Sequence, residues 1–303
     1  MKKVLLIGGT GFVGNHMRAS VEATSVVAAT GRDADVRDLE KLRALISREQ
    51  PDQVVNLAAI TTLRESFQNP RDTYDINFLG TLNVLVALRD CGFSGRMLFV
   101  SSSEVYGLLN PGELPVGEDR LPRPLSPYAV AKTAAEALCY QWSQTEQFEI
   151  VTARPFNHIG PGQSERFAVA DFGRQVAAIR LGKTEPVIHV GDIDTTRDFT
   201  DVRDVVSAYW LLLDQGRNGE IYNVCSGEEH SMRSLVERMC ELASLKVELR
   251  PDTARFRTSE QRRVRGSKTK LGIETGWVPR IPLDQTLADI LTYWTRELLE
   301  HKD

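Results

Sequence analysis

The stretch Lys3–Met17, "KVLLIGGTGFVGNHM", decides the fold. Val4–Ile7 make a short, wholly apolar strand; Gly8, Gly11 and Gly14 follow at three-residue spacing, and a helix follows them. Glycines in such a turn let the backbone close in on a pyrophosphate, and the helix behind them aims its free N–H groups at the phosphate charge. A glycine triplet alone is also the mark of any strand-to-helix turn. Here it occupies the first strand, the first turn and the first helix, which points to a bound dinucleotide. Gly8, Thr10, Gly11, Phe12, Val13 and Gly14 are then the residues that face it.

Outward from this turn the pattern repeats. "SVVAAT", "QVVNLAA", "RMLFVSS" and "EIVTARP" read as further short strands. Helical stretches are expected near Asn15–Glu22, Leu39–Glu49, Thr73–Cys91 and Pro127–Thr145. Apolar strands separated by helices imply a parallel sheet covered on both faces. The fold class is α/β, a Rossmann-type doubly wound sheet whose ligands sit beyond the carboxyl ends of the strands. After Pro155 the rhythm breaks into a Gly/Pro loop, helices near Val169–Leu181, Val202–Leu213 and Met232–Ala243, and the strand-like "PVIHVG" and "EIYNVCSG". The expected organisation is a dinucleotide-binding domain of residues 1–156 plus about 198–226. A smaller, discontinuous C-terminal substrate lobe takes about 157–197 plus 227–303.

The totals exclude several classes. A chain of 303 residues with 42% apolar and 26% charged side chains is an ordinary globular composition, and a net charge of −4 gives no reason to expect nucleic acid or an acidic membrane surface. Cys91, Cys139, Cys225 and Cys240 are widely spaced and the five histidines scattered, so reduced thiols are expected and no metal site. "MKKVLLIGG" is too short for a secretory core, and no apolar run has membrane length, so a cytoplasmic protein is expected.

"PYAVAK" sets Tyr128 and Lys132 four residues apart at a helix start, hence on one face. A tyrosine serves as general acid when a neighbouring ammonium brings its phenol, near 10 unperturbed, toward neutrality. In isolation such a pair is as easily a surface tyrosine and lysine. This one follows "VSSSEVYG", Val100–Gly107, a strand end with hydroxyls suited to hold a carbonyl and a carboxylate, Glu104. Six arginines lie in Arg250–Arg265; some belong to a solvated face, and the guanidinium forks of others suit a pyrophosphate clamp.

With "GGTGFVG", "DADVRD", "NLAA", "DINFLGTLNVL", "VSSSEVYG", "YAVAK" and "RDFTDVRD", the chain resembles the extended short-chain dehydrogenases/reductases nearly end to end. The resemblance implies that Ser102 orients a carbonyl, Tyr128 delivers the proton, and Lys132 tunes Tyr128 and binds the nicotinamide ribose. It assigns Asp35 and Val36 to the adenine side, and Leu57, Ala58, Ala59 and Asn77 to the cofactor cleft. Arg32, at the end of the second strand, favours NADP, while Asp33 beside it leaves NAD open.

"ARPFNHIGPGQS", "RTSEQRRVRGS" and "TGWVPRIPLDQTL" are similar to the branch that acts on GDP-linked sugars. That likeness implies NAD(P)H-dependent reduction of the C4 ketone of a nucleotide-activated 6-deoxy-4-ketohexose. Ser103, Glu104, Asn157, Arg197, Arg257 and Glu260 are then its substrate contacts, and the protein a homodimer pairing through Thr73–Cys91 and Pro127–Thr145. In the related 4,6-dehydratases a glutamate at the position of Glu104 removes a proton beside a ketone, so dehydration stands as an alternative. So do 4-epimerisation and, without catalysis, dinucleotide sensing.

Overall fold

The structure, a computed structural model, describes residues 2–20, 26–29, 31, 34–255 and 261–300. The strands are β1 (Val4–Ile7), β2 (Val26–Ala29), β3 (Gln53–Asn56), β4 (Arg96–Val100), β5 (Glu149–Pro155) and β6 (Asn157–Ile159). They continue with β7 (Val187–Val190), β8 (Thr196–Asp201), β9 (Ile221–Val224), β10 (Glu229–Ser231) and β11 (Glu248–Pro251). The helices are α1 (Phe12–Ala19), α2 (Leu39–Glu49), α3 (Leu63–Gln68), α4 (Pro70–Tyr74), α5 (Gly80–Asp90) and α6 (Pro127–Thr145). They are followed by α7 (Ala168–Arg180), α8 (Val202–Gln215), α9 (Met232–Leu242), α10 (Thr269–Thr275) and α11 (Leu283–Glu300).

Six strands form one parallel sheet in the order β2-β1-β3-β4-β5-β9. Alternation along β1 explains its two covers. Leu5 and Ile7 point into a core shared with α2, α5 and α6, whereas Val4 and Leu6 point into one shared with α1, α8 and α10. Chain order reverses between β1 and β3, so the crevice of a doubly wound sheet opens there, at the strands' carboxyl ends. A third core joins α7, α9 and α11 to β7, with Ile188, Val236, Leu287 and Ile290 fully buried. Beside it β10-β8-β6 form a three-stranded sheet, and β11 pairs with β7.

Two helices near the site start and stop where local chemistry dictates. Asp38 caps α2 by accepting from the Lys41 N–H at 3.1 Å. Ser126 caps α6 by accepting from Ala129 N–H at 3.1 Å, with Pro127 preset for the first turn. The expected helix Thr73–Cys91 is not one regular helix. It divides into α4, a wide π-type turn over Asp75–Leu79, and α5. The wide turn brings buried Asn77 to face the exit of β3: its Oδ1 accepts from Ile60 N–H at 2.8 Å and its Nδ2 donates to Ile60 O at 2.9 Å. Gly80, which follows, sits where a Cβ would lie 2.5 Å from Val36 Cγ2.

Asn77 thus satisfies both main-chain groups of Ile60 from a site with no solvent. Asn77→Ala is expected to lower folding stability by about 2 kcal/mol, the cost of leaving such groups unpaired. Urea unfolding measures this, and a loss below about 0.5 kcal/mol would mean that the clasp contributes little.

Candidate active site at the carboxyl edge of the sheet

Three glycines shape the crevice for different reasons. Gly8 has φ +78°, and a Cβ on it would lie 2.8 Å from Ala58 N, so both its conformation and its contact with the exit of β3 exclude a side chain. A Cβ on Gly14 would lie 2.4 Å from Gly9 O, so α1 packs directly on the turn. A Cβ on Gly11 would meet only Gly8 O, at 3.5 Å. Gly11 therefore keeps open space on the ligand side. It is also the N-cap of α1 and supplies no side-chain cap, which leaves the first-turn N–H groups of Phe12 and Val13 for an anion. Thr10 is exposed beside them, its carbonyl accepting from Asn15 Nδ2 at 3.3 Å. This donor set and this open cradle fit a dinucleotide pyrophosphate.

Leu57, Ala58 and Ala59 form the facing wall. Leu57 N–H donates to Ile7 O at 2.9 Å, and Ala58 N–H to Asn56 Oδ1 at 3.3 Å. Asn77 supports this wall from behind, with its amide directed at Ile60. The two oxygens of Asp35 hold Arg37 Nε at 3.0 Å and Nη2 at 2.7 Å, an ion pair that draws the carboxyl down to about 2. The Val36 side chain is buried against Gly80, so what it offers a ligand is main chain. Arg32, Arg257 and Glu260 lie outside the described residues.

The hydroxyl and amine groups come together one strand further on. Ser102 leaves β4 in extended conformation, and its Oγ accepts from Glu104 N–H at 3.2 Å, fixing the turn Ser103–Tyr106. That hydroxyl reaches the phenol of Tyr128, in the first turn of α6. Lys132, one helical turn along, donates from Nζ to Val100 O at 2.6 Å and stands over the Phe99 ring at 5.0 Å. The expectation that the lysine draws the phenol toward neutrality is not what the structure shows. Burial pushes Tyr128 up to about 12, with the Glu104 carboxylate acting in the same direction and Ser102 opposing. Burial also brings Lys132 down to about 8. Desolvation is the largest influence on both groups and moves each toward its neutral form.

On the substrate side, a small apolar cluster of Val105, Tyr106, Leu109, Val116, Phe156 and Cys225 ties together segments that sequence separates. It seats half-buried Ser103 and exposed Glu104 near exposed Asn157 of β6, and the chain around Gly266 also packs on Phe156. Arg197, on β8, donates from Nη1 to Thr196 O at 2.8 Å. Of the arginine run, Arg250 pairs with Glu248, Arg262 with Asp192 and Arg263 with Glu229 at the surface, whereas Arg265 Nε is buried without a hydrogen-bond partner among the described residues.

Two histidines that the sequence showed only as scattered also meet here. His16 Nε2 lies 2.8 Å from Pro161 O, and the His158 ring stacks on Phe12 with centroids 6.1 Å apart. A cleft of about 490 Å³ opens at the opposite, amino end of the strands, where Arg96 is already paired with Glu149.

The sequence matches the family described as GDP-mannose 4,6 dehydratase over residues 21–290. A GDP-6-deoxy-D-mannose reductase of Pseudomonas aeruginosa is 44% identical over 99% of this chain and 99% of its own. A GDP-mannose 4,6-dehydratase of Yersinia enterocolitica is 28% identical over 88% of this chain and 79% of its own. The solved structure of RMD from Pseudomonas aeruginosa complexed with NADPH superposes with a TM-score of 0.92 at 43% identity, covering 98% of this chain and 100% of that one.

Gly11 and Gly14 have separable duties. Gly11→Ala is expected to leave thermal stability within about 0.5 kcal/mol while weakening dinucleotide binding at least about tenfold, because its Cβ would enter ligand space. Gly14→Ala is expected to lower stability by about 1–3 kcal/mol, because its Cβ would strike main chain. Calorimetry and NADPH fluorescence titration read both quantities, and equal binding by wild type and Gly11→Ala would remove Gly11 from the cradle.

Proposed function

Because this chain belongs to the GDP-mannose 4,6-dehydratase family of extended short-chain dehydrogenases/reductases, we propose that it reduces the C4 ketone of GDP-4-keto-6-deoxy-D-mannose with NADPH, giving GDP-D-rhamnose. The reductase relative, similar from end to end, supports the substrate class. The observation that carries reduction over dehydration is the difference in likeness: the reductase relative is 44% identical over 99% of both chains, whereas the Yersinia enterocolitica dehydratase is 28% identical over 88% of this chain and 79% of its own.

In this reading Ser102 donates to the ketone oxygen and Tyr128 passes its proton to the alkoxide that develops there. Lys132 stabilises the phenolate left behind until solvent returns the proton. What the dinucleotide supplies when bound is the hydride that goes to the carbonyl carbon. The main chain of Gly11–Gly14 and the wall Leu57–Ala59 hold it, with Thr10, Arg32, Asp35, Val36 and, indirectly, Asn77. Ser103, Asn157, Arg197, Arg257 and Glu260 hold the GDP-sugar. Glu104 accepts from a sugar hydroxyl and keeps Tyr128 in its acid form.

The dinucleotide-binding portion is then residues 1–156 plus about 198–226, and the remainder the substrate lobe. Four free cysteines suit a reducing, cytoplasmic setting. A homodimer is supported by large apolar side chains left exposed on α3, α4, the wide turn and α6: Phe67, Tyr74, Leu79, Val130 and Tyr140. Sedimentation equilibrium at the 33.9 kDa mass of one chain would rule that dimer out.

The deciding assay follows NADPH absorbance with purified protein and GDP-4-keto-6-deoxy-mannose, beside GDP-mannose with NADP. Consumption of NADPH in the first mixture only is expected. Tyr128→Phe should lower kcat by about a hundredfold to ten-thousandfold while leaving the NADPH dissociation constant within about threefold. Production of the keto-sugar from GDP-mannose would instead make Glu104 an eliminating base and the protein a dehydratase.

A further inference from the structure

Resting on that reading, we propose that Asp198 is a positioning residue for the GDP-sugar. Its buried carboxylate locks together β8, the turn after β9 and the chain through Gly266, and so sets substrate affinity without touching substrate. Asp198 lies on β8 and is 0% exposed. Its Oδ1 accepts from the Ser226 N–H at 2.8 Å and from the Ser226 hydroxyl at 2.6 Å. Its Oδ2 accepts from the Gly227 N–H at 3.0 Å and the Gly266 N–H at 3.1 Å.

All four donors are neutral, and among the described residues no cation stands within ion-pair distance of this carboxylate. A charge buried on hydrogen bonds alone is costly, so stability by itself is a poor reason for an aspartate here. What an ionised acceptor adds over a neutral one is shorter and stronger bonds. Three chain segments far apart in sequence thus meet at one group with little freedom to shift.

Each tied segment adjoins a residue proposed to hold the GDP-sugar. Arg197 is the residue before Asp198 on β8, so any displacement of that strand carries it along. Gly266 is wedged between the carboxylate and the apolar cluster, since a Cβ on it would lie 2.6 Å from both Phe156 Cζ and Cys225 Sγ. Asn157 follows Phe156 directly, and Arg257 and Glu260 precede Gly266 in the same stretch of chain.

Two further contacts brace the arrangement. Lys268 Nζ donates to Ser226 O at 2.5 Å, holding the turn after β9 from its other side. Val116 N–H donates to Arg265 O and Ser267 N–H to Val116 O, both at 2.9 Å, so the chain through Gly266 also anchors the loop that leads to α6. None of the tied segments carries a residue assigned to the dinucleotide. A loosened Asp198 therefore affects the sugar nucleotide selectively, which separates positioning from a general loss of structure.

The test compares wild type, Asp198→Asn and Ser226→Ala. It measures GDP binding by isothermal titration, NADPH binding by fluorescence, and kcat and KM with the keto-sugar. An amide offers one acceptor oxygen where the carboxylate offers two, so in Asp198→Asn part of the donor set faces an N–H2 group. There the GDP dissociation constant and the keto-sugar KM are expected to rise at least about tenfold. The NADPH dissociation constant and kcat are expected to stay within about threefold. Ser226→Ala removes one donor and keeps the charge, and is expected to weaken GDP binding about twofold to fivefold.

Unchanged GDP affinity in folded Asp198→Asn, or equal losses of GDP and NADPH affinity, would overturn the proposal. If Asp198→Asn does not fold, Ser226→Ala decides: weaker GDP binding with unchanged NADPH binding supports the proposal, and unchanged GDP binding overturns it. Wild type that binds no GDP would refute the proposed function and this inference with it. Wild-type GDP binding retained in both variants would refute this inference alone.

Discussion

The approach of Gly8 to Ala58 is the constraint on which the rest depends. Two strand exits can meet with main chain nearly in contact because the first carries no Cβ and takes positive φ. That meeting lies where chain order reverses, so it sets the floor of the crevice. Gly14 then brings α1 down on the same turn, and its N-terminus comes to face the crevice. Asn77 clasps Ile60 at the other lip, and Val36, held by Gly80, fixes the loop after β2 to the start of α5. Each contact exists because a small or amide side chain stands where a larger one would clash or leave polar groups unpaired.

Burial governs Tyr128 and Lys132 more than pairing does. Tyr128 and Lys132 are displaced in opposite directions, each toward its neutral form, as desolvation requires of an acid and a base. For a proton donor the first displacement is useful, since a sugar alkoxide is a far stronger base than a phenolate and takes the proton from a phenol that has kept it. The second works against catalysis, which needs the lysine charged.

Much of this was legible in the residues. The strand–glycine–helix order of Lys3–Met17, and the caps Asp38 and Ser126, act locally, and local chemistry shows in sequence: α2 and α6 begin and end where their residues place them. The π-type turn was hidden because its cause, Ile60, lies 17 residues away from Asn77. Strands β6, β8 and β10 were not legible because β6 and β10 span only 3 residues each and all carry polar residues, Asn157, Arg197 and Glu229, that form a ladder only when the fold aligns them. The partners of Glu136 on α6, Arg154 of β5 and Ser101 just past β4, come together only in the fold, since no periodicity relates them.

The histidines show how the two ligand sites share one reference. Hydride transfer demands that donor and acceptor carbons stand within about 3–3.5 Å in a defined orientation, which two independently mobile sites cannot guarantee. Here α1, whose first turn faces the crevice, also carries Phe12 and His16. These hold β6 and the loop after it through the His158 ring and the Pro161 carbonyl. Asn157 is the first residue of that strand. Gly160, in that loop, permits the approach, because a Cβ there would strike Val202 Cγ1 at 2.6 Å and come near the Phe12 ring. Any shift of α1 therefore moves β6 and the loop after it as well, so the two sides of the crevice share one packing contact.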